Sequence, residues 1–477
     1  MSIPLTIVLL YIALLFLISY FAQRRSSGGA TNYILAGRQL TTPLITVSIV
    51  GLAIGGASTI GVSEQAYKLG LSAGWYTAAW GIGAITMGLL VAKKYRELGI
   101  TTIPELLERF YDKKGMIAGV ACQIIIQLVI TSLQYIAGGS ILCTLLPDIF
   151  TFTTGMLTSA VVFIGITFIG GMWSASLSNI LNITLIYIGI LLATFVSLTR
   201  VGGISNIVPK LPPNIPYFDV ISGVGVTGIV SWIVVLVTVN LSLQSIIQIS
   251  LGAKDEYTAR RGFIIGGLMM LPIGFVCALM GIIAKSMYPD VSASLALPLT
   301  IMSLNPFLAG ITLAALWAAD ISTACNLLLS SATLFSQDIY KRFVNPTVTE
   351  KNFLLVTKGS VLVLGMVTLL LAMTVSGIIQ TLMIGLSLTA AFSVIVLFTL
   401  FMPGLCRRNS AFYTVLASLI VLILWQTMPS VRIFPHVIYL EWLACLATFF
   451  IAYLFDSNTI TAANLTKPEL ARETSAK

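Results

Sequence analysis

Residues 48–61 read SIVGLAIGGASTIG, and their reading decides the fold. They sit in one of many apolar runs of roughly 20 residues, each long enough to cross a hydrocarbon core of about 30 Å as a helix. This run carries four glycines, Gly51, Gly55, Gly56 and Gly61, with Ser58 and Thr59 beside them. Glycine weakens a helix by about 1 kcal/mol per residue, so several together predict an unwound segment. Free carbonyls at membrane depth are tolerated only where a cation, water or protein meets them. Close helix packing through small residues is the competing reading, and the stretch alone leaves both open.

The surroundings fix the class. Of 477 residues, 57% are hydrophobic and only 9% charged, with a mean hydropathy of +0.99. Soluble domains are about a quarter charged. The chain is therefore expected to be all-α, a polytopic membrane protein embedded in a lipid bilayer. Thirteen candidate spans fall at about 4–22, 43–66, 75–96, 116–143, 153–170, 174–199, 222–250, 262–287, 308–336, 354–375, 377–402, 411–428 and 436–454. No stretch leaves room for a soluble domain, so 1–477 reads as one transport domain with a polar tail at 455–477.

The net charge of +9 does not point to nucleic acid, because Lys and Arg sit in short clusters between apolar runs. With the N-terminus outside, Lys68, Arg200, Lys210, Lys285 and Arg432 fall outside, and the other twenty-one of 26 basic residues fall inside. That asymmetry predicts a multi-pass protein of the cell membrane with its C-terminus in the cytoplasm. No obligate protein partner is evident. The six cysteines are scattered, without metal spacing, and His436 is the only histidine. No nucleophile elbow, HExxH or complete P-loop is present, so no enzyme is expected.

A second polar stretch is AADISTACN, residues 318–326. Ala319, Ser322, Thr323 and Asn326 share one helical face. Two adjacent hydroxyls with carbonyl oxygens suit a hard monovalent cation. Alternatively, Ser and Thr bond back to their own helix. Asp320 lies beside that face. A charged Asp at a helix centre costs about 2.5–3.5 kcal/mol, so it needs a partner, a proton or a role.

Four motifs in order resemble the sodium/solute symporter family, which includes sodium-coupled sugar, proline, pantothenate and sialic acid carriers. They are NYILAGR (32–38), ASTIGVSEQAYKLG (57–70), QSIIQISLGAKDEYTAR (244–260) and ISTACNLLLSSATLFSQDIYKRF (321–343). The resemblance implies a 5+5 inverted-repeat core, here about 43–199 and 222–402, with one helix before it (4–22) and two after (411–454). The first helix of each half would be broken, near 51–61 and near Thr238–Asn240. It implies sodium symport by alternating access, importing a small organic solute. The implied sodium ligands are the carbonyls of Gly51, Ile54 and Ala319 and the hydroxyls of Ser322 and Thr323. The solute cavity would involve Gly55, Ser58 and Asn240, with Trp80 and Gln127 as further lining. The family pattern, usually apolar at that position, does not account for Asp320: either it faces the cavity and contacts an amine of the solute or titrates, or it is a protonated Asp bonded to a neighbouring helix.

The chain also departs from the family pattern. Asn179, Cys325 and Asn326 stand where some members have a second, carboxylate-containing sodium site, which predicts one sodium per cycle. Val239 stands at the sugar carriers' aromatic gate, which argues against a sugar. Two alternatives keep the fold: a proton-coupled symporter using Asp320, or a transporter-like solute sensor.

Overall fold

The computed structural model describes residues 3–374, 383 and 385–456. Among them the chain is built of helices, joined by one isolated parallel bridge between Leu40 and Ala253. The principal elements are α1 (Ile3–Ser26), α2 (Thr42–Ala53), α3 (Ala57–Leu69), α4 (Trp75–Leu90) and α5 (Lys113–Leu145). There follow α6 (Phe152–Arg200), α7 (Gly225–Ser242), α8 (Gln244–Leu251), α9 (Glu256–Met287) and α10 (Pro306–Thr333). The last are α11 (Glu350–Ala372), α12 (Thr389–Phe401), α13 (Ser410–Thr427) and α14 (Val437–Phe455).

By length and composition, nine helices among the described residues can cross a membrane, or up to eleven if each bent pair is one span. The thirteen expected spans are thus not a count that length and composition return. One reason is α6, whose 49 residues read as one helix although Gly171 breaks it at φ 54° and ψ −134°. Its two halves fold back past each other. Trp317 Nε1 bonds Ser159 in the first half, and Ala315 packs on Gly189 in the second. Gly171 is required at the turn, since its φ is left-handed and a Cβ there would lie 2.4 Å from the Tyr33 carbonyl. The expected span 377–402 falls partly outside the described residues.

Two breaks position everything else. The first separates α2 from α3 with a bend of 61°. The glycines of 51–61 therefore do open the helix, and they also pack closely. A Cβ on Gly55 would lie 2.6 Å from both Gln134 Oε1 and Thr323 Oγ1. The second break falls at Leu243, which is extended (φ −75°, ψ 127°) between α7 and α8. This corrects the expected break at Thr238–Asn240. Those polar residues are absorbed by their own helix: Thr238 Oγ1 donates to the Val234 carbonyl at 2.7 Å and Asn240 Nδ2 to that of Leu236 at 2.8 Å.

Helix α10 runs through the middle of the bundle, with 89% of its most apolar window buried by protein. That position shields its Asp, Ser, Thr and Asn from lipid. The last helix, α14, is capped by His436, whose Nδ1 accepts the Ile438 amide at 3.2 Å. Only a neutral imidazole can make this cap. Burial lowers the His436 pKa from its ordinary 6.5 to about 4. Between those values the unfolded chain binds a proton that the folded chain does not. The cap's stabilisation is therefore complete above about pH 6.5 and is lost as pH falls towards 4. Thermal unfolding at pH 7.5 and pH 5 should show a larger acid-induced loss in the wild-type protein than in His436→Asn.

Candidate functional site

The functional site grows from the first break. Unwinding at 54–56 frees backbone groups that would otherwise pair within the helix. Ser58 Oγ donates to the Ala53 carbonyl at 2.7 Å, and the Gly56 amide donates to Gln134 Oε1 at 3.1 Å. The Gly55 carbonyl accepts the amides of Ser58 and Thr59 at 3.0 and 3.2 Å. The chain then re-enters helix through a wide turn, with the Gly61 amide on the Gly56 carbonyl at 2.9 Å.

The last turn of α2 meets the middle of α10. Ser322 Oγ lies 2.7 Å from the Gly51 carbonyl and 2.8 Å from that of Ala319. Thr323 Oγ1 lies 3.0, 3.1 and 3.2 Å from the carbonyls of Gly51, Leu52 and Ala319. Two hydroxyl protons thus face three carbonyls, and the hydroxyl lone pairs remain besides. Among the described residues, the acceptors of this cluster outnumber the hydroxyl donors that face them. Of the five expected ligand residues, Gly51, Ala319, Ser322 and Thr323 meet here. The Ile54 carbonyl lies at the break, with no hydrogen bond joining it to the cluster. Asn326 turns away, its Nδ2 donating to the Ser322 carbonyl at 2.7 Å.

Beside this cluster is a narrow cavity with room for about one water molecule. Its walls include Gly55, Tyr76, Trp80, Gln134, Leu243 and Thr323. Gly55 and Trp80 among the expected solute residues therefore line it. The other five lie elsewhere. Ser58 caps the break, and Asn240 packs against α4, where a Cβ on Gly83 would lie 2.5 Å from its Nδ2. Val239 is fully buried, and Gln127 Nε2 reaches back to the Gln123 carbonyl at 3.3 Å. Asp320 is wholly buried against Gly56, whose Cβ would lie 2.6 Å from Oδ1. The Gly56 amide beside it is taken by Gln134, and neither Asp320 oxygen completes a hydrogen bond among the described residues.

Sequence reasoning missed the partners on α5. Gln134 grips the first break. Gln123 grips the second, with Nε2 donating to the Ser242 carbonyl at 2.9 Å and Oε1 accepting the Gln244 amide at 3.2 Å. The available signal was a stripe of amides, Gln123, Gln127 and Gln134, on one face of an otherwise apolar span.

Comparison with known proteins bears on the family and the fold. A family model described as "Sodium:solute symporter family" matches residues 33–418. The chain is 25% identical over 409 residues to a sodium/glucose cotransporter of Vibrio parahaemolyticus, covering 78% of this chain and 75% of that protein. It is 24% identical over 435 residues to a sodium/proline symporter of Staphylococcus saprophyticus, covering 87% and 84%. A solved Na+-coupled sialic acid symporter, in a substrate-bound outward-open state, superposes with a TM-score of 0.81 at 17% identity, covering 96% of this chain and 99% of that one. The nucleobase-cation-symport-1 transporter Mhp1 superposes at 0.63 with 14% identity, covering 90% and 93%.

Proposed function

We propose that this chain, which belongs to the sodium:solute symporter family, imports one small organic solute together with one sodium ion per cycle. Sodium is the coupling ion of the family, and the helical, multi-pass architecture is shared with its transporters. The observation that carries the finer reading is the acceptor-rich cluster of Gly51, Ala319, Ser322 and Thr323 at the helix break. Sodium there, with the Ile54 carbonyl as fifth ligand, would hold α2 against α10. Outward opening would then be favoured, solute would bind in the adjoining cavity, and two halves, about 43–199 and 222–402, would rock to release both inward. With the N-terminus outside, inward movement of one charge gains about 2.3 kcal/mol per 100 mV.

The cavity also bounds the solute. Tyr76, Trp80, Ile130, Leu243 and Leu327 offer an apolar wall. Gln134 and the unwound backbone offer polar contacts at one end. Once the cavity widens to admit it, this lining favours a solute with a largely apolar surface and one polar group, and no basic side chain is among the lining residues. The unpartnered Asp320 favours a second reading, in which a proton on Asp320 replaces sodium as the driving ion.

One set of measurements separates them. Purified protein is screened by thermal shift against amino acids, nucleobases, sugars and carboxylic acids, in sodium and in potassium. The sodium reading expects stabilisation by a solute in sodium that is weaker in potassium, and that survives Asp320→Asn. Equal stabilisation in both salts, with loss of pH-dependent uptake in Asp320→Asn, would replace it with the proton reading.

A further inference from the structure

We infer that Tyr11 and Asn182 are positioning residues for the Gly51 carbonyl, so that the leading helix sets sodium affinity from outside the repeats; this rests on the sodium reading above. Tyr11 on α1 is 5% exposed, and Asn179 and Asn182 on α6 are 1% and 0% exposed. Tyr11 Oη donates to Asn182 Oδ1 at 2.8 Å. Asn182 Nδ2 donates in turn to Asn179 Oδ1 at 3.2 Å. The Asn179 amide then lies flat on Gly51: a Cβ there would meet its Nδ2 at 2.8 Å, Cγ at 2.9 Å and Oδ1 at 3.1 Å.

The direction of each bond sets that of the next. Tyr11 can donate to Asn182 only if the Asn182 oxygen faces it, which turns the Asn182 nitrogen towards Asn179. Asn179 must then offer its own oxygen to Asn182. Its Nδ2 is left with no hydrogen-bond partner among the described residues. A buried donor without a partner is costly. Because a phenol can also accept, the same chain can run in reverse, Asn179 Nδ2 to Asn182 Oδ1 and Asn182 Nδ2 to Tyr11 Oη; in either direction Tyr11 and Asn182 hold the Asn179 amide against Gly51.

Gly51 is where that contact acts on function. Its α-carbon carries the amide on one side, while its carbonyl takes both α10 hydroxyls on the other. Neighbouring contacts keep the same three helices in register: Ser174 Oγ to Ser19 Oγ at 2.6 Å between α6 and α1, and Ser48 Oγ to Ser176 Oγ at 3.0 Å between α2 and α6. Asn179 stands where some relatives of this chain were expected to carry a sodium-binding carboxylate. Here the amide serves as a strut, and its load reaches α1 through Asn182.

The test is sodium titration of solute uptake in proteoliposomes. Tyr11→Phe keeps the ring and removes only Oη. Its half-saturating sodium concentration should rise three- to tenfold, while maximal rate and solute KM at saturating sodium stay within twofold. Gly51→Ala should lose at least tenfold in sodium affinity, and Asn179→Ser in the same chain should recover most of that loss by clearing the amide from the new methyl. A Tyr11→Phe titration that overlays wild type, while wild type depends on sodium, sinks the inference alone. Equal loss of rate at every sodium concentration would also sink it, as a general packing defect. Wild-type uptake indifferent to sodium would overturn both the inference and the reading it rests on.

Discussion

Ser322→Ala combined with Thr323→Ala should raise the half-saturating sodium concentration by roughly 10²- to 10⁴-fold and abolish uptake at physiological sodium. Among the described residues, the two hydroxyls are the side-chain oxygens that bond the Gly51 and Ala319 carbonyls. Interactions with a charged group contribute about 1.5–3 kcal/mol each, so two lost ligands remove about 3–6 kcal/mol. At about 1.4 kcal/mol per tenfold, that is the stated range. The fold should survive, because alanine is the better helix former and both positions lie inside the unbroken α10. Ser331→Ala, lower on the same helix, is the matched control. Its hydroxyl bonds the Leu327 carbonyl at 2.9 Å and touches neither break. Uptake against sodium concentration, with folded yield measured in parallel, checks the pair. A double variant within threefold of wild type would remove the cluster from the coupling mechanism.

Sequence made parts of this site legible for a physical reason. Clustered glycines weaken a helix and buried hydroxyls need partners, so Gly51–Gly61 and Ala319–Thr323 stand out in apolar runs, and the structure brings Gly51 against Ser322 and Thr323. The break at Leu243 was hidden because Leu243 is an ordinary apolar residue. What permits the break is Gln123, over a hundred residues earlier in the chain. Thr238 and Asn240 drew attention as polar residues, yet each satisfies itself one turn back along α7. Asn179 read as a lost ligand. Its contact with Gly51 and its link to Tyr11 depend on how α1, α2 and α6 pack, which no local pattern encodes. Asp320 was visible as an anomaly, and the structure narrows it to a carboxyl pressed against Gly56.

Gln123→Leu should destabilise the protein by about 2–6 kcal/mol, the largest effect on folding expected from any single polar side chain discussed above. One amide satisfies two of the backbone groups freed at Leu243, the Ser242 carbonyl and the Gln244 amide, while Tyr95 Oη takes the Leu241 carbonyl. Gln123, Ser242 and Gln244 are fully buried, and each buried group left unmade costs about 1–3 kcal/mol. Leucine matches the volume, so a cavity is not the cause. Gln123→Glu should fall between, because a carboxyl oxygen still accepts from Gln244 while the donor to Ser242 is lost. Gln127→Leu, one turn away, removes only a long 3.3 Å bond and an oxygen that already lacks a partner, and should unfold close to wild type. Thermal unfolding of the purified variants ranks the four. The expected order also bears on transport. Gln134, gripping the first break, lies eleven residues further along α5, about 16 Å on and nearly on the same face. A single rigid helix thus holds both unwound points, and tilting it must shift both together. If Gln123→Leu melts with wild type, the second break is held by its own helices, and α5 has no such hold on it.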